Sequence, residues 1–246
     1  ASTGGVMPGD EQGEVTVVAE RTTGKIITTK RYGPPERVLG QAPVDASGDG
    51  GLIDFAFSPT YSQDRLIYAL ITTPSDNRVV RLAPGDVPKP ILTGIPPKGG
   101  ATGNMGSMYF RSPTELVVAT GDAGYPAAAD DASSLAGKLL LITSFTSGVS
   151  PRPQILASGF GSSVALCPPN ASTGTIYVAD QKATEDRVQV IEEGGPPRCS
   201  GRGPTSRRSP GAAWSAAASS SRRPAPSGSR ASGNRPARTR RSPLPS

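Results

Sequence analysis

No histidine occurs in the 246 residues of this chain, so the commonest general base and the commonest metal ligand are both missing. Cys167 and Cys199 are the only two cysteines; they support no metal cluster and at most one bridge. Aromatic residues are scarce at 5%, no long amphipathic helical period exists, and no apolar run reaches the roughly 18 residues of a membrane-spanning helix. There is no phosphate-binding loop, nucleophile elbow or CxxC, and Gly201-Arg202-Gly203 lacks the third glycine of a dinucleotide fingerprint. The chain opens at Ala1 without a charged, apolar leader, so the expectation is a start that has been trimmed.

Acids are missing from one region only. Up to Glu193 there are 15 Lys and Arg against all 20 Asp and Glu, whereas Gly194 to Ser246 holds 11 Arg and no acid. The body is therefore mildly acidic, and the overall +6 belongs to the last 53 residues. Of those, 47 are Gly, Pro, Arg, Ala or Ser. Such a segment has too little apolar material to offset its ordering entropy, so it is expected to be a disordered tail. It lacks aromatic interleaving apart from Trp214, which argues against a nucleic-acid arm.

What the chain has is glycine, proline and short β-branched runs. With 30 Gly and 26 Pro, the composition favours an all-β protein rich in turns. Residues 1–13 are small and polar and are expected to be disordered. Strands are expected over Glu14–Glu20, Lys25–Lys30, Arg37–Val44, Leu52–Phe57, Leu66–Thr72, Arg78–Leu82 and Pro90–Ile95. Further strands follow over Ser107–Phe110, Leu116–Thr120, Leu139–Ile142, Gln154–Ser158, Ser163–Cys167, Thr175–Asp180 and Arg187–Ile191. Aligning Ile67-Tyr68-Ala69, Val117-Val118-Ala119 and Tyr177-Val178-Ala179 gives a repeat of roughly 50–60 residues, the size of a propeller blade. Four antiparallel strands per repeat make a β-propeller, incomplete at about three and a half blades, the expected fold over residues 14–193. A β-sandwich is the alternative. An unclosed ring exposes blade faces and strand edges, which predicts poor solubility.

The organising stretch is Gly103 to Ile142, where Asp122, Asp130 and Asp131 fall in one loop between strands. Asp45 with Asp49, or the three later aspartates, offer oxygen ligands, but neither spacing is that of an EF-hand. Asn170-Ala171-Ser172 forms a glycosylation sequon.

Asp49-Gly50-Gly51-Leu52-Ile53-Asp54-Phe55-Ala56-Phe57-Ser58-Pro59, the run from Asp64 to Asp86, Ile91 to Pro96, Thr120 to Gly124, Ser134 to Lys138 and Ile176 to Asp180 together resemble the soluble glucose/sorbosone dehydrogenases. These are six-bladed propellers, and the closest likeness is to the envelope lipoprotein subgroup of mycobacteria and related actinobacteria. The resemblance implies pyrroloquinoline quinone as cofactor, calcium as its aid and oxidation of a sugar hydroxyl. It places the general base at Gly103, beside the cofactor-binding position Asn104, the orienting carboxylate at Asp122 and the quinone-binding arginine at Gly161. Glycine can neither take a proton nor hold an anionic quinone, so the resemblance implies a non-catalytic member. Asp122 then serves as a turn residue bonded to its own backbone. The expected role is binding an envelope partner or a small ligand outside the cytoplasm, with membrane attachment only through a lipid anchor that this chain lacks. The competing expectation is a quinone-dependent sugar or aldose dehydrogenase with an altered site.

The tail's alphabet also fits an out-of-frame reading of a GC-rich gene from about Pro196. Arg202-Gly203-Pro204-Thr205, written CGN-GGN-CCN-ACN, permits Trp-Pro-Asp two nucleotides on, and propellers of the lipoprotein subgroup resemble this in carrying Trp-Pro-Asp there. On that account Cys199 is not the native partner of Cys167.

Overall fold

The computed structural model describes residues 4–8, 15–30, 37–96, 102–143, 152–167, 175–192 and 198–204. They build four sheets, each of four consecutive antiparallel strands in chain order. The first holds β1 (Gly4–Val6), β2 (Val15–Ala19), β3 (Lys25–Lys30) and β4 (Arg37–Gln41), and the second β5 (Leu52–Phe57), β6 (Ile67–Thr72), β7 (Asn77–Leu82) and β8 (Lys89–Ile95). The third holds β9 (Ser107–Ser112), β10 (Glu115–Ala119), β11 (Lys138–Thr143) and β12 (Gln154–Ser158). The fourth holds β13 (Ser163–Cys167), β14 (Ile176–Gln181), β15 (Glu185–Ile191) and β16 (Arg198–Pro204). Repeated four-stranded meanders packed face to face are the blades of a β-propeller.

Three apolar layers hold consecutive sheets together. Val17, Ala19 and Ile26 of the first sheet meet Ile67, Ala69 and Ile71 of the second. Tyr68 and Leu70, on the other face of β6, meet Leu116 and Val118 of β10. Val117 and Ala119 then meet Ile176 and Val178 of β14. Every residue of β6 is buried, because a central strand has a sheet on each face. Each such Ile or Leu contributes about 1.5–3 kcal/mol by leaving water.

The layers also correct the sequence alignment of the repeats. Ile67, Leu116 and Ile176 each face the preceding sheet. The triplets starting at Val117 and Tyr177 are therefore one residue late relative to Ile67. A slip of one residue exchanges the two faces of a strand, and a strand buried on both faces hides the slip because both sets are apolar.

Both ends depart from expectation. β1 lies inside the segment expected to be disordered up to residue 13, and pairs Gly4 with Val18 and Val6 with Thr16. β16 lies inside the tail expected from Gly194, and pairs Glu185 with Pro204 and Val190 with Arg198. An outer strand needs only backbone N–H and C=O groups to pair, so a composition without apolar side chains does not preclude it. With β16 the fourth blade is complete rather than half-formed. Residues 194–197 and 205–246, the remainder of the expected tail, lie outside the described residues, as does the sequon at Asn170.

Two one-turn helices went unforeseen, α1 (Tyr61–Asp64) between β5 and β6 and α2 (Pro126–Asp130) between β10 and β11. Proline opens α2 at its first turn, where its missing N–H removes no helical hydrogen bond. Within the described residues, no helix is long and apolar enough to cross a membrane.

Candidate functional site

The loops that precede the first strand of a blade meet those that follow the second strand of its neighbours. Asp49, in the loop before β5, accepts the Gly103 N–H at 2.7 Å and the Asn104 N–H at 3.2 Å just before β9. The Asn104 side-chain amide also donates to Asp49, and its oxygen accepts from Asn77 Nδ2 at 3.0 Å. Asn104 and Asn77 are both 3% exposed, so these bonds are made out of water, where leaving an amide unpaired costs most.

Asp122 follows the end of β10 and is 5% exposed. Its Oδ1 accepts the Gly124 N–H at 2.9 Å, its carbonyl accepts the Tyr125 N–H at 3.0 Å, and its own N–H donates to Gly161 O at 2.9 Å. Burial raises the Asp122 pKa, the nearby Asp180 raises it further, and the Gly124 amide and Lys182 act the other way. Ala123, next in the turn, is held at φ 64° and donates its N–H to Gly103 O at 3.2 Å.

Gly161 opens the fourth blade, and its N–H donates to Asp180 Oδ1 at 2.6 Å. Asp180 Oδ2 accepts from Arg187 Nε at 3.0 Å, from Gln189 Nε2 at 3.1 Å and from Arg187 Nη2. The same guanidinium donates to Gly159 O at 2.9 Å. A charge-assisted cluster of this kind locks the 159–161 turn in place.

The structure thus brings Gly103, Asn104, Asp122 and Gly161 into one hydrogen-bonded run across the second, third and fourth blades. It does not gather the three aspartates. Asp131 caps a separate turn through the Ser133 N–H and hydroxyl, both at 2.8 Å, and Asp130 ends α2. Asp45 likewise caps its own turn at Ser47. Among the described residues no trio of His, Cys, Asp or Glu is placed to hold a metal. Short Asx turns explain Asp45, Asp122 and Asp131, each satisfied by the backbone two residues on. The sequence reading missed Asn77, Asp180, Arg187 and Gln189 as members of the network. Asp180 follows Tyr177-Val178-Ala179 at the place that Thr120 takes one blade earlier, so its position in the strand alone did not mark it.

The site's chemistry is set by what its glycines exclude. A Cβ on Gly103 would lie 2.4 Å from Gly124 N and 2.8 Å from Asp122 Oδ1, at a backbone φ of +85°. A Cβ on Gly161 would lie 2.1 Å from Gln181 O. Neighbouring backbone occupies the space that a side chain at either position needs. No imidazole stands beside Asp122, and the Arg187 guanidinium is committed to Asp180 and Gly159. These residues do not fit a quinone cofactor with an adjacent general base.

Four-stranded meander blades packed in series place the chain among the β-propellers. The family model for glucose/sorbosone dehydrogenase matches residues 7–193, and the chain belongs to that family. Among solved structures it is similar to the PQQ-bound aldose sugar dehydrogenase of Streptomyces coelicolor, with 27% identity, a TM-score of 0.65 and coverage of 79% of this chain and 60% of that one. It is also similar to a glucose dehydrogenase-type oxidoreductase of Thermus thermophilus, with 26% identity, a TM-score of 0.62 and coverage of 78% and 61%. The soluble aldose sugar dehydrogenase of Escherichia coli, in its apo form, shares the fold at 18% identity and a TM-score of 0.61, with coverage of 80% and 65%. The chain spans about 60% of the length of the first two structures. A search of curated proteins gives no match.

Proposed function

We propose that this chain is a non-catalytic member of the glucose/sorbosone dehydrogenase family, acting outside the cytoplasm as a binding protein through its loop face. The observation that carries this reading is the closed place at Gly103, where the backbone of Gly124 and the Asp122 carboxylate fill the space of a base. Proton abstraction from a sugar hydroxyl needs a base at hydrogen-bond distance with a suitable pKa. Neither Gly103 nor any histidine elsewhere supplies one. Asp122 is then a turn residue that ties the third blade to Gly161 of the fourth.

The envelope lipoprotein subgroup is the assignment within the family that the motifs of residues 49–59 and 120–138 support. The partner is an envelope component or a small ligand, not nucleic acid, and a lipid anchor would supply any membrane attachment. The out-of-frame origin of the tail belongs to the same reading, because acids and lysines vanish together after Glu193. Translating the underlying DNA in all three forward frames past Glu193 tests it. Alternating apolar strands in another frame support the shift, and their absence in both overturns it.

The second reading is a quinone-dependent sugar or aldose dehydrogenase. It draws on the 27% identity to the PQQ-bound Streptomyces enzyme and on the buried carboxylate of Asp122, the residue proposed to orient a base in such an enzyme. Titration with pyrroloquinoline quinone and calcium separates the two readings. Absence of dye-linked sugar oxidation supports the first. Oxidation that is lost in Asp122→Ala establishes the second.

A further inference from the structure

The seam between the second and third sheets is apolar at its centre and polar where it nears the loop site. On the second sheet it carries three cross-strand pairs, Tyr68 with Arg81, Leu70 with Val79 and Thr72 with Asn77. Leu70 and Val79 belong to the apolar layer, whereas Thr72 and Asn77 close it at 0% and 3% exposure. The Thr72 N–H donates to Gly51 O at 2.8 Å and its carbonyl accepts the Asp45 N–H at 2.9 Å, so its backbone groups turn away from Asn77. A pair of this kind brings its side chains closest, with Cα atoms about 4.5 Å apart. Yet Thr72 Oγ1 and Asn77 Oδ1 are both buried, and neither meets a hydrogen-bond partner among the described residues.

Asn77 is oriented from its other end. Its Nδ2 donates to Pro96 O at 3.1 Å and to Asn104 Oδ1 at 3.0 Å, and Asn104 Nδ2 donates in turn to the Asp49 carboxylate. The charge of Asp49 thus aligns two amides with their nitrogens toward it, and each bond polarises the next. Asn77 Oδ1 is the acceptor left at the far end. Turning the amide over would set that oxygen against the oxygens of Pro96 and Asn104.

We propose that a single buried water molecule sits between Thr72 and Asn77, donating to Asn77 Oδ1 and making its second hydrogen bond with Thr72 Oγ1. Asn77 Oδ1 only accepts, so it needs a donor, and the hydroxyl beside it can give or take a hydrogen bond. One water reaches both across two bonds of about 2.8 Å. Calcium takes about six oxygens or more. Here two are free, and the Asp49 carboxylate is committed to the Gly103 and Asn104 N–H groups. With the water, one run of hydrogen bonds links Thr72 through Asn77 and Asn104 to Asp49. The turn at Gly103 is then fixed before any ligand reaches the loop face.

Thr72→Val in the full chain tests this by the sign of its effect, because valine keeps the shape of threonine and removes the hydroxyl. With the water in place the variant gives up a hydrogen bond, and its unfolding constant in urea is expected to rise about fivefold. A hydroxyl buried without a partner is better replaced by a methyl group, so an unchanged or lowered unfolding constant overturns the proposal. If Thr72→Val does not fold, a crystal structure of the parent chain decides. An ordered water within about 3.2 Å of both Thr72 Oγ1 and Asn77 Oδ1 supports the proposal. A direct bond between the two side chains, or no water shared by the two oxygens, overturns it. Replacing sodium by choline in the buffer separates water from a monovalent cation. The parent's unfolding midpoint is expected to stay the same; a fall in choline that Thr72→Val removes identifies a bound cation and overturns the water.

Discussion

Asp54 is the residue whose surroundings differ most from those of an ordinary surface carboxylate. A bulge at Ile53 in the β5–β6 pairing turns Asp54 toward the third blade, where its Oδ2 accepts the Met108 N–H at 2.8 Å and the Ser107 hydroxyl at 3.0 Å. Burial pushes its pKa up to about 6, against the opposing pull of those bonds. A folded-state pKa above the unfolded value means that protonation favours the folded state. Its contribution is fully present below about pH 4 and is lost as pH rises through about 6. The melting temperature of the parent relative to Asp54→Asn should therefore rise as pH falls from about 7 to about 5; a pH-independent difference would show that Asp54 titrates normally. Gly103→His makes the complementary point at the site. A side chain at φ +85° costs about 1–2 kcal/mol by conformation alone, before the overlap with Gly124. The variant should lose at least about 2 kcal/mol in urea unfolding. These residues were legible to different degrees. Gly103, Asn104, Asp122 and Gly161 were singled out only by resemblance to the family's motifs. Asp180 with Arg187 was not, since an ion pair seven residues apart across a strand turn leaves no mark beyond two common residue types.

At the scale of elements, the loop from Gly121 to Gly137 is held by one lysine. Lys138 opens β11 and is 0% exposed, and its ammonium donates to Ala128 O at 2.9 Å, Ala129 O at 2.7 Å and Ala136 O at 2.8 Å. Two of these carbonyls belong to the last turn of α2, whose C-terminal carbonyls have no partner within the helix. The same cation answers the negative end of the helix, while burial lowers its pKa. Lys138→Met keeps the length of the side chain and removes every donor. Ala128 O and Ala136 O then lose the ammonium, a loss of roughly 2–4 kcal/mol. Urea unfolding would measure it, and an unchanged midpoint would mean the loop is held by other contacts. The strands were readable from β-branched runs broken by Gly, Pro and Asx residues, and their observed limits lie within a few residues of those expected. Helices of four and five residues escaped because a period of 3.6 does not show in so short a span. β1 and β16 escaped because an outer strand is stabilised by backbone pairing, which composition does not report.

At the scale of the molecule, four blades stand in a family whose structures run to longer chains, and the three inter-blade layers are the stabilising unit. The propeller architecture was legible because three independent strand sets repeated with turns between them. The handing of faces from blade to blade was not, because strands buried on both sides carry no alternation. The central claim is that the loop site of this propeller binds without oxidising. Its most direct test is titration of the purified chain with pyrroloquinoline quinone and calcium, followed by dye-linked oxidation of a panel of aldoses. With Gly103 and Gly161 closed by backbone, the prediction is no stoichiometric quinone binding and no rate above the protein-free blank. Saturable quinone binding with sugar-dependent dye reduction, abolished in Asp122→Ala, would contradict it.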